Sequence, residues 1–431
     1  MTNVPPTPKA RRTRARILAA AQVVFERKGL HAARITDIAE ESGLSPSAFY
    51  RYFDSKAEVL EAVALSSFDA VFEAVGAQDA VERSLTPAER FRLANRRYLA
   101  AYCDNALGIR LLEQYVATNP LFREHRRGIN QRFIPRLGAV FGQMMEAGQI
   151  DDRYDPRSLS EALSAMVDRS AYINFVLRGH RLMPEGLTET IDILWDNVLG
   201  LASPEWVPTT QIVAAPYSWM YARDTGREVA SARGMNTQEL LEQAATKVFA
   251  ERGFLGSRMI DIATAADVAH GTVYNYFDSR FDAFASVATI LCDRLFDELA
   301  AGPRGAAADD QTGLLRQVEA ANRIAADFYR ANSAFIAAFE EFATVDQSCA
   351  SVRLMLRDRF VRGAALSLER LQVAGLADRR LDPWMAADVL VAMLERTLIN
   401  WVVVDDSHDT DSSLTQMSQL WVRAVGLDPR R

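Results

Sequence analysis

Residues 25 to 56 read FERKGLHAARITDIAEESGLSPSAFYRYFDSK, and residues 249 to 280 read FAERGFLGSRMIDIATAADVAHGTVYNYFDSR. They align without a gap at a shift of 224. Phe25/Phe249, Gly29/Gly253, Arg34/Arg258, Asp37/Asp261, Ile38/Ile262, Ala39/Ala263, Tyr50/Tyr274 and the run Tyr52-Phe53-Asp54-Ser55/Tyr276-Phe277-Asp278-Ser279 are identical. Weaker matches continue outward: Gly148 and Asp155-Pro156 answer Gly375 and Asp382-Pro383 at a shift of 227, and Leu194-Trp195 and Gly200-Leu201 answer Leu420-Trp421 and Gly426-Leu427 at 226. Whole units of roughly 200 residues are duplicated, and two copies make a covalently joined pair rather than a solenoid.

Inside the repeat, Ile17, Leu18, Ala21, Val24 and Phe25 recur at helical spacing and predict a first helix from about Thr13 to Lys28, ended by Gly29. A second helix runs from about Ile35 to Ser42 with Ile38 and Ala39 inward, and Gly43 supplies the turn. Ser45 is then an N-cap with Pro46 at the first helical position, and the third helix follows through Ser47 to Tyr52, Phe49 and Phe53 lying on its core side. Two short helices joined by a tight glycine turn are a helix-turn-helix, whose second member reads DNA.

The residues that carry this pattern, Ile38-Ala39, Gly43-Leu44-Ser45, Phe49-Tyr50-Arg51-Tyr52-Phe53 and Ser55-Lys56, resemble the helix-turn-helix of TetR-family transcriptional regulators. Ile262-Ala263, His270-Gly271-Thr272-Val273-Tyr274-Asn275-Tyr276-Phe277 and Arg280 resemble a second one. The resemblance implies that Pro46, Ser47, Ala48, Tyr50, Arg51, Tyr52 and Lys56 face DNA in the first copy, and His270, Gly271, Thr272, Tyr274, Asn275, Tyr276 and Arg280 in the second. Tyrosine hydroxyls suit phosphate oxygens, Arg51 has the reach for a guanine edge, and Arg34 and Arg258 are further phosphate candidates. Tyr50 and Tyr52 also read as half-buried aromatics that fix the helix angle, and Lys56 as a solvated charge.

Every other part of each unit reads as helix, with breakers at Thr118-Asn119-Pro120, Asp151 to Pro156 and Arg178-Gly179. The β-rich tract Trp401-Val402-Val403-Val404 is too isolated to imply a sheet, so the fold class is all-α, a tandem duplication of a helix-turn-helix domain plus a helical domain. The expected boundaries are 10–60 and 61–201 for the first unit, 202–234 for a linker, and 235–284 and 285–427 for the second unit. Trp206, Tyr217, Trp219 and Tyr221 suggest a linker that packs on something.

The TetR resemblance implies a four-helix bundle between units, made here by 156–177 with 185–201 and by 383–403 with 412–427. Fusion raises the effective concentration of one half for the other and favours an intrachain pseudo-dimer that presents two non-identical recognition helices to an imperfect palindrome. A dimer of whole chains stays open. The resemblance also implies a small, mostly apolar effector that releases the DNA, with Tyr102, Tyr115, Phe133, Tyr172, Phe175, Phe339 and Trp401 as candidate lining residues, although aromatics at helical spacing are more often core. The function expected is therefore a sequence-specific DNA-binding regulator, a repressor, partnered by double-stranded DNA.

Charge separates the copies. Residues 10 to 60 hold nine basic and six acidic side chains, a net +3, whereas 234 to 284 hold four and seven, a net −3. Phosphate neutralisation dominates DNA affinity, so the first copy is the stronger expected reader, helped by a basic arm containing Arg11, Arg12, Arg14 and Arg16. The second copy also has Ala269 where the first has its Ser45 cap. The rival expectation makes copy 2 an architectural or protein-interaction module.

Over the whole chain of 431 residues, 49% are hydrophobic and 24% charged, and the net charge of −7 argues against coating nucleic acid by bulk positive charge. Three scattered cysteines, Cys103, Cys292 and Cys349, fit neither a disulfide framework nor a zinc site, which makes a reducing cytoplasm the simplest compartment. No run of 18 apolar residues predicts a membrane span. Asp168-Arg169 and Glu395-Arg396 recur in the two units and raise the competing class of an all-helical enzyme. Without a phosphate loop, nucleophile elbow or metal spacing they read better as ion pairs, so no catalytic residue, cofactor or metal is expected.

Overall fold

Ile17, Ala21, Val24 and Phe25 line the buried face of α1 (Pro8–Lys28) in the computed structural model, which describes residues 7–28, 32–76, 84–116, 119–201, 232–301, 311–404 and 410–427. Their side chains close over Ile38 and Ala39 of α2 (Ile35–Glu41) and Phe49 of α3 (Pro46–Phe49). Ser45 caps α3 as its sequence position demands, its hydroxyl accepting from the Ala48 amide at 3.2 Å, with Pro46 at the first helical position. The helix is shorter than expected: past Phe49 the chain tightens into turns, the Tyr52 amide donating to the Phe49 carbonyl at 2.8 Å. That tightening brings Phe53 into the core beside Phe49, their ring centroids 5.9 Å apart. The predicted basic arm is helical as well, since α1 already starts at Pro8, and Arg14 lies with its guanidinium 5.1 Å from the Phe53 ring.

The first unit continues through α4 (Lys56–Gly76), α5 (Pro87–Asp104), α6 (Ala106–Val116), α7 (Pro120–Glu146), α8 (Pro156–Ala171) and α9 (Leu187–Leu199). Asn119 and Asp155 cap α7 and α8 through their side chains, each followed by proline, so two of the predicted breakers are helix starts. Gly108 lets α6 lie against α4, where a Cβ would collide with Ser67. The second unit repeats the order as α10 (Ala232–Arg252), α11 (Met259–Ala265), α12 (His270–Val273), α13 (Arg280–Ala301), α14 (Gln311–Ala331), α15 (Ser333–Ala343), α16 (Gln347–Val373), α17 (Pro383–Ile399) and α18 (Thr410–Ala424). No strand occurs among the described residues. The Trp401 to Val404 tract continues α17 as a π-helical turn, Asn400–Val404, matched by Tyr172–Leu177 after α8. Most of the predicted linker, including its four aromatics, lies outside the described residues, and α10 starts inside the span expected for it.

α8, α9, α17 and α18 form the bundle that joins the units, with α8 packed along α17. Ala162, Ala165, Met166, Ala386, Val389 and Met393 are buried there, and the small side chains allow close approach. One apolar cluster runs from the first helix-turn-helix through this bundle into the second unit, while the second helix-turn-helix has a core of its own around Phe249, Phe284 and Phe342. Each fully buried leucine or phenylalanine of such a core contributes about 1.5–3 kcal/mol.

Candidate nucleic-acid interface and sensor cavities

Both helix-turn-helix segments are pinned the same way. Asp37 accepts from the Arg34 amide at 2.9 Å, and Asp261 from the Arg258 amide at 2.9 Å, each satisfying a free amide at a helix start. Lys28 at 2.8 Å holds the Asp37 carboxyl below the usual carboxylate range, first by its hydrogen bond. Asp261 is paired with Arg252 at 2.7 Å.

Of the residues expected to face DNA, Pro46, Ser47, Tyr50 and Arg51 are exposed, as are His270, Gly271, Tyr274 and Asn275. Tyr50 and Tyr274 keep 52% and 44% of their surface in solvent. Ala48, Tyr52, Thr272 and Tyr276 are half-buried at the base of the reading helix, and Tyr52 packs on the core. Arg34 and Arg258 are exposed. Lys56 and Arg280 turn inward: Lys56 Nζ donates to the Ala33 carbonyl at 3.1 Å, and Arg280 donates to the Leu255 and Ser257 carbonyls at 3.1 and 3.0 Å while lying 4.4 Å from the Phe254 ring. They tie the loop after the first helix to the start of the fourth, a role invisible in their spacing.

α12 starts at Ala269 with no side-chain cap, and Asp267 before it takes a positive φ of 53°. In exchange, the His270 and Tyr274 rings meet edge to face at 5.2 Å. The second reading helix is held by fewer hydrogen bonds than the first.

Residues 17–63 and 241–286 both match the profile of bacterial regulatory proteins of the tetR family. The two matches support a TetR-family regulator with two TetR-like units. Among relatives, the HTH-type transcriptional regulator EthR of Mycolicibacterium smegmatis is 27% identical over 202 residues, covering 44% of this chain and 91% of EthR. The HTH-type transcriptional repressor DhaR of a Mycobacterium species is 25% identical over 179 residues, 41% of this chain and 88% of DhaR. A solved structure of the fatty acid degradation regulator FadR from Bacillus halodurans is 20% identical over 43% of this chain and 94% of FadR, with a TM-score of 0.39. EthR and DhaR are transcriptional regulators by name, and with the two tetR-type matches they support a DNA-binding regulator. Among the described residues of the chain no helix is long and apolar enough to cross a membrane.

Each TetR-like unit has a cavity, and the two differ. The first, of about 1140 Å³, lies between α4, α5, α7 and α8, with Phe91, Tyr98, Phe133, Met144 and Trp195 on its walls and Asp69, Arg90, Arg132 and Arg136 toward solvent. The second, of about 480 Å³, is walled by Leu291, Phe328, Phe339, Phe360 and Trp421. Of the aromatics singled out in the sequence, Phe133 and Phe339 line these cavities, and Trp401 lines a third space between the units. Tyr102 and Phe175 are buried against one another and away from all three, and Tyr172 lies beneath the guanidiniums of Arg169 and Arg396 at 4.6 and 5.9 Å. The Tyr115 side chain lies outside the described residues.

Asp168-Arg169 and Glu395-Arg396 are ion-pair partners, but not of their neighbours in sequence. Arg169 reaches across the bundle to Glu340 with two bonds of 2.8 Å, and Arg396 reaches back to Glu113 at 3.0 and 3.2 Å. Arg126 bonds Asp168 at 2.7 Å, as Arg353 bonds Glu395 at 3.0 Å. The seam obeys the two-fold relation of the units. Burial alone pushes the Asp168 carboxyl up, yet the Arg126 and Arg396 guanidiniums hold it at about 2, and against the same burial Arg353, Arg357 and Arg169 hold Glu395 lower still. Sequence reading found two members of each half of this seam and missed Glu113, Arg126, Glu340 and Arg353, whose only signal was their recurrence at a shift of 227.

Proposed function

We propose that one chain acts as a complete repressor: its two non-identical reading helices engage an imperfect palindrome together, and a small, mostly apolar effector in the sensor cavities releases them. The observation that carries this reading is the bundle of α8, α9, α17 and α18, which pairs the units within a single chain as a dimer pairs two. Exposed Tyr50, Arg51, Tyr274 and Asn275 are the side chains assigned to DNA, and half-buried Tyr52 and Tyr276 set their angle. Arg11, Arg12, Arg14 and Arg16 add support, because the first turn of α1 has no acidic residue and positive charge near a helix start is compensated well by phosphate. The domain limits 10–60, 61–201, 235–284 and 285–427 are proposed with it.

The net −3 of the second helix-turn-helix and its uncapped α12 favour a second reading, in which that copy is an architectural or protein-interaction module. Titration of the chain onto the DNA upstream of its own gene separates the two. Tyr50→Ala/Arg51→Ala and Tyr274→Ala/Asn275→Ala are compared with the unaltered protein at several salt concentrations. Loss of affinity from both pairs supports joint reading. No loss from the second pair supports the architectural reading, and no preference over random duplex sinks both.

A further inference from the structure

Between the units, beside Asn130, lies a space of about 160 Å³ bounded by both copies: Arg126, Arg127 and Ser164 from the first, Arg396, Asn400 and Trp401 from the second. The internal repeat shows how its lining differs from the second copy. At the shift of 227 that superposes the ion-pair seam, Asn130 corresponds to Arg357, and Glu161 and Asp168 to Asp388 and Glu395. In the second copy the Arg357 side chain, 1% exposed, stands at that position on the wall of the second sensor cavity and pairs with Asp388 and Glu395. Asn130 is shorter and carries no guanidinium.

The carboxylates that would need that missing guanidinium have other donors. Tyr98, where the second copy has Ala325, donates its hydroxyl to Asp168 at 2.6 Å, and Arg157, where it has Trp384, pairs with Glu161 at 2.9 Å. What is left without hydrogen-bond partners is mainly donors: buried Nε of Arg126 and of Arg127, with the Ser164 hydroxyl and a single acceptor, Asn400 Oδ1. The Arg126 side chain is only 4% exposed, so it cannot turn to bulk water instead. Arg127 corresponds to Leu354 and Ser164 to Val391, so the first copy is polar at both positions and the second is apolar. Four arginines against two carboxylates line the space, together with uncharged polar residues and an apolar part that includes Phe72, Phe133, Ile134 and Trp401.

We infer that this inter-unit space is a binding site for a small carboxylate carrying an apolar body. A cavity of ~150 Å³ holds a benzene ring, which sets the size. The carboxylate takes the unpartnered arginine and serine donors by charge-assisted bonds, and the ring lies against Trp401 and Phe133. Because the walls come from both units, the occupant binds only the paired arrangement and stabilises it.

Benzoate is the probe, and benzyl alcohol its uncharged control, each titrated into the full chain by calorimetry and by thermal unfolding. Benzoate is expected to bind once per chain and to raise the unfolding midpoint, with benzyl alcohol at least about tenfold weaker. Asn130→Arg, which places in the first copy the longer side chain that the second copy carries, is expected to fold, to occupy the space and to abolish the response. Arg127→Leu and Ser164→Val, each the residue the second copy carries, are expected to weaken benzoate about tenfold or less while preserving the fold. The inference is overturned if benzoate does not bind at about millimolar concentration, if benzyl alcohol binds equally well, or if Asn130→Arg binds benzoate unchanged, which would place the probe in one of the larger cavities.

Discussion

Replacing Arg169 by methionine tests the seam that joins the units. The Arg169 guanidinium is fully buried, forms two 2.8 Å bonds to Glu340, approaches Glu395 at 3.5 Å and lies over the Tyr172 ring. After Arg169→Met, Glu395 keeps Arg353 at 3.0 Å and Arg357 at 3.1 Å, so the cost falls on Glu340, left with Arg353 at 3.2 and 3.3 Å. Breaking a buried pair by removing one partner costs about 3–5 kcal/mol. The surviving Arg353 contact and the packing of methionine put the expected loss near the lower end, ~3 kcal/mol. Urea unfolding at neutral pH, followed by circular dichroism and tryptophan fluorescence, measures it. The double variant Arg169→Met/Glu340→Gln is expected to lose less than the two single variants together, with a coupling of about 2 kcal/mol. Arg396→Met, its counterpart against Glu113, is expected to behave alike. A loss below ~1 kcal/mol for Arg169→Met, or a coupling indistinguishable from zero, would refute the reasoning.

Acid should separate the units before it melts the helices. Asp168 and Asp388 are each held at about 2, against burial, by Arg126 with Arg396 and by Arg357 with Arg178, and Glu340 and Glu395 are lowered too. Folded-state values below the unfolded ~4 mean that this stabilisation is complete above pH ~5 and is lost as pH falls toward 2, which stability measured against pH should show. Asp192 has the opposite sign: burial raises it to about 6, despite Arg96 at 3.6 Å. Asp192→Asn is therefore expected to stabilise the fold by about 1–3 kcal/mol above pH ~6 and by nothing near pH 3, seen as a pH-dependent shift in unfolding midpoint. Ala269→Ser supplies the cap that α12 lacks and is expected to add about 0.5–1 kcal/mol of local stability, read by amide exchange over residues 270–277, while Ser45→Ala costs α3 a similar amount. Gly253→Ala forces a Cβ onto a φ of +70° and within 2.6 Å of the Glu341 carboxylate, which accepts from the Phe254 and Leu255 amides. It is expected to cost at least about 1–2 kcal/mol, measured by thermal unfolding.

The sequence by itself determined what depends on neighbours a few residues apart. The internal repeat, the helical periodicity, the cap at Ser45, the glycine turn and the inward Phe49 and Phe53 are local: a side chain at i either reaches the amide at i+3 or shares a helical face with i+4, and the structure has them where that chemistry puts them. The helix limits were less legible, because the turn after Phe49 and the π-helical end of α17 are set by what the core must bury rather than by propensity. Tertiary structure alone decided the partners of the charges. Lys56 and Arg280 look like phosphate ligands in the chain and spend their donors on carbonyls 23 residues away. Arg169 stands beside Asp168 in sequence, yet adjacent residues on a helix point in different directions, and its carboxylate belongs to Glu340 of the other unit. Asn130 lines the space between the units where the second copy has Arg357, which pairs with Asp388 and Glu395, and no local rule ties that difference to the helix carrying it. Pairing over such separations depends on how two amphipathic bundles dock, which is fixed by the whole buried surface at once.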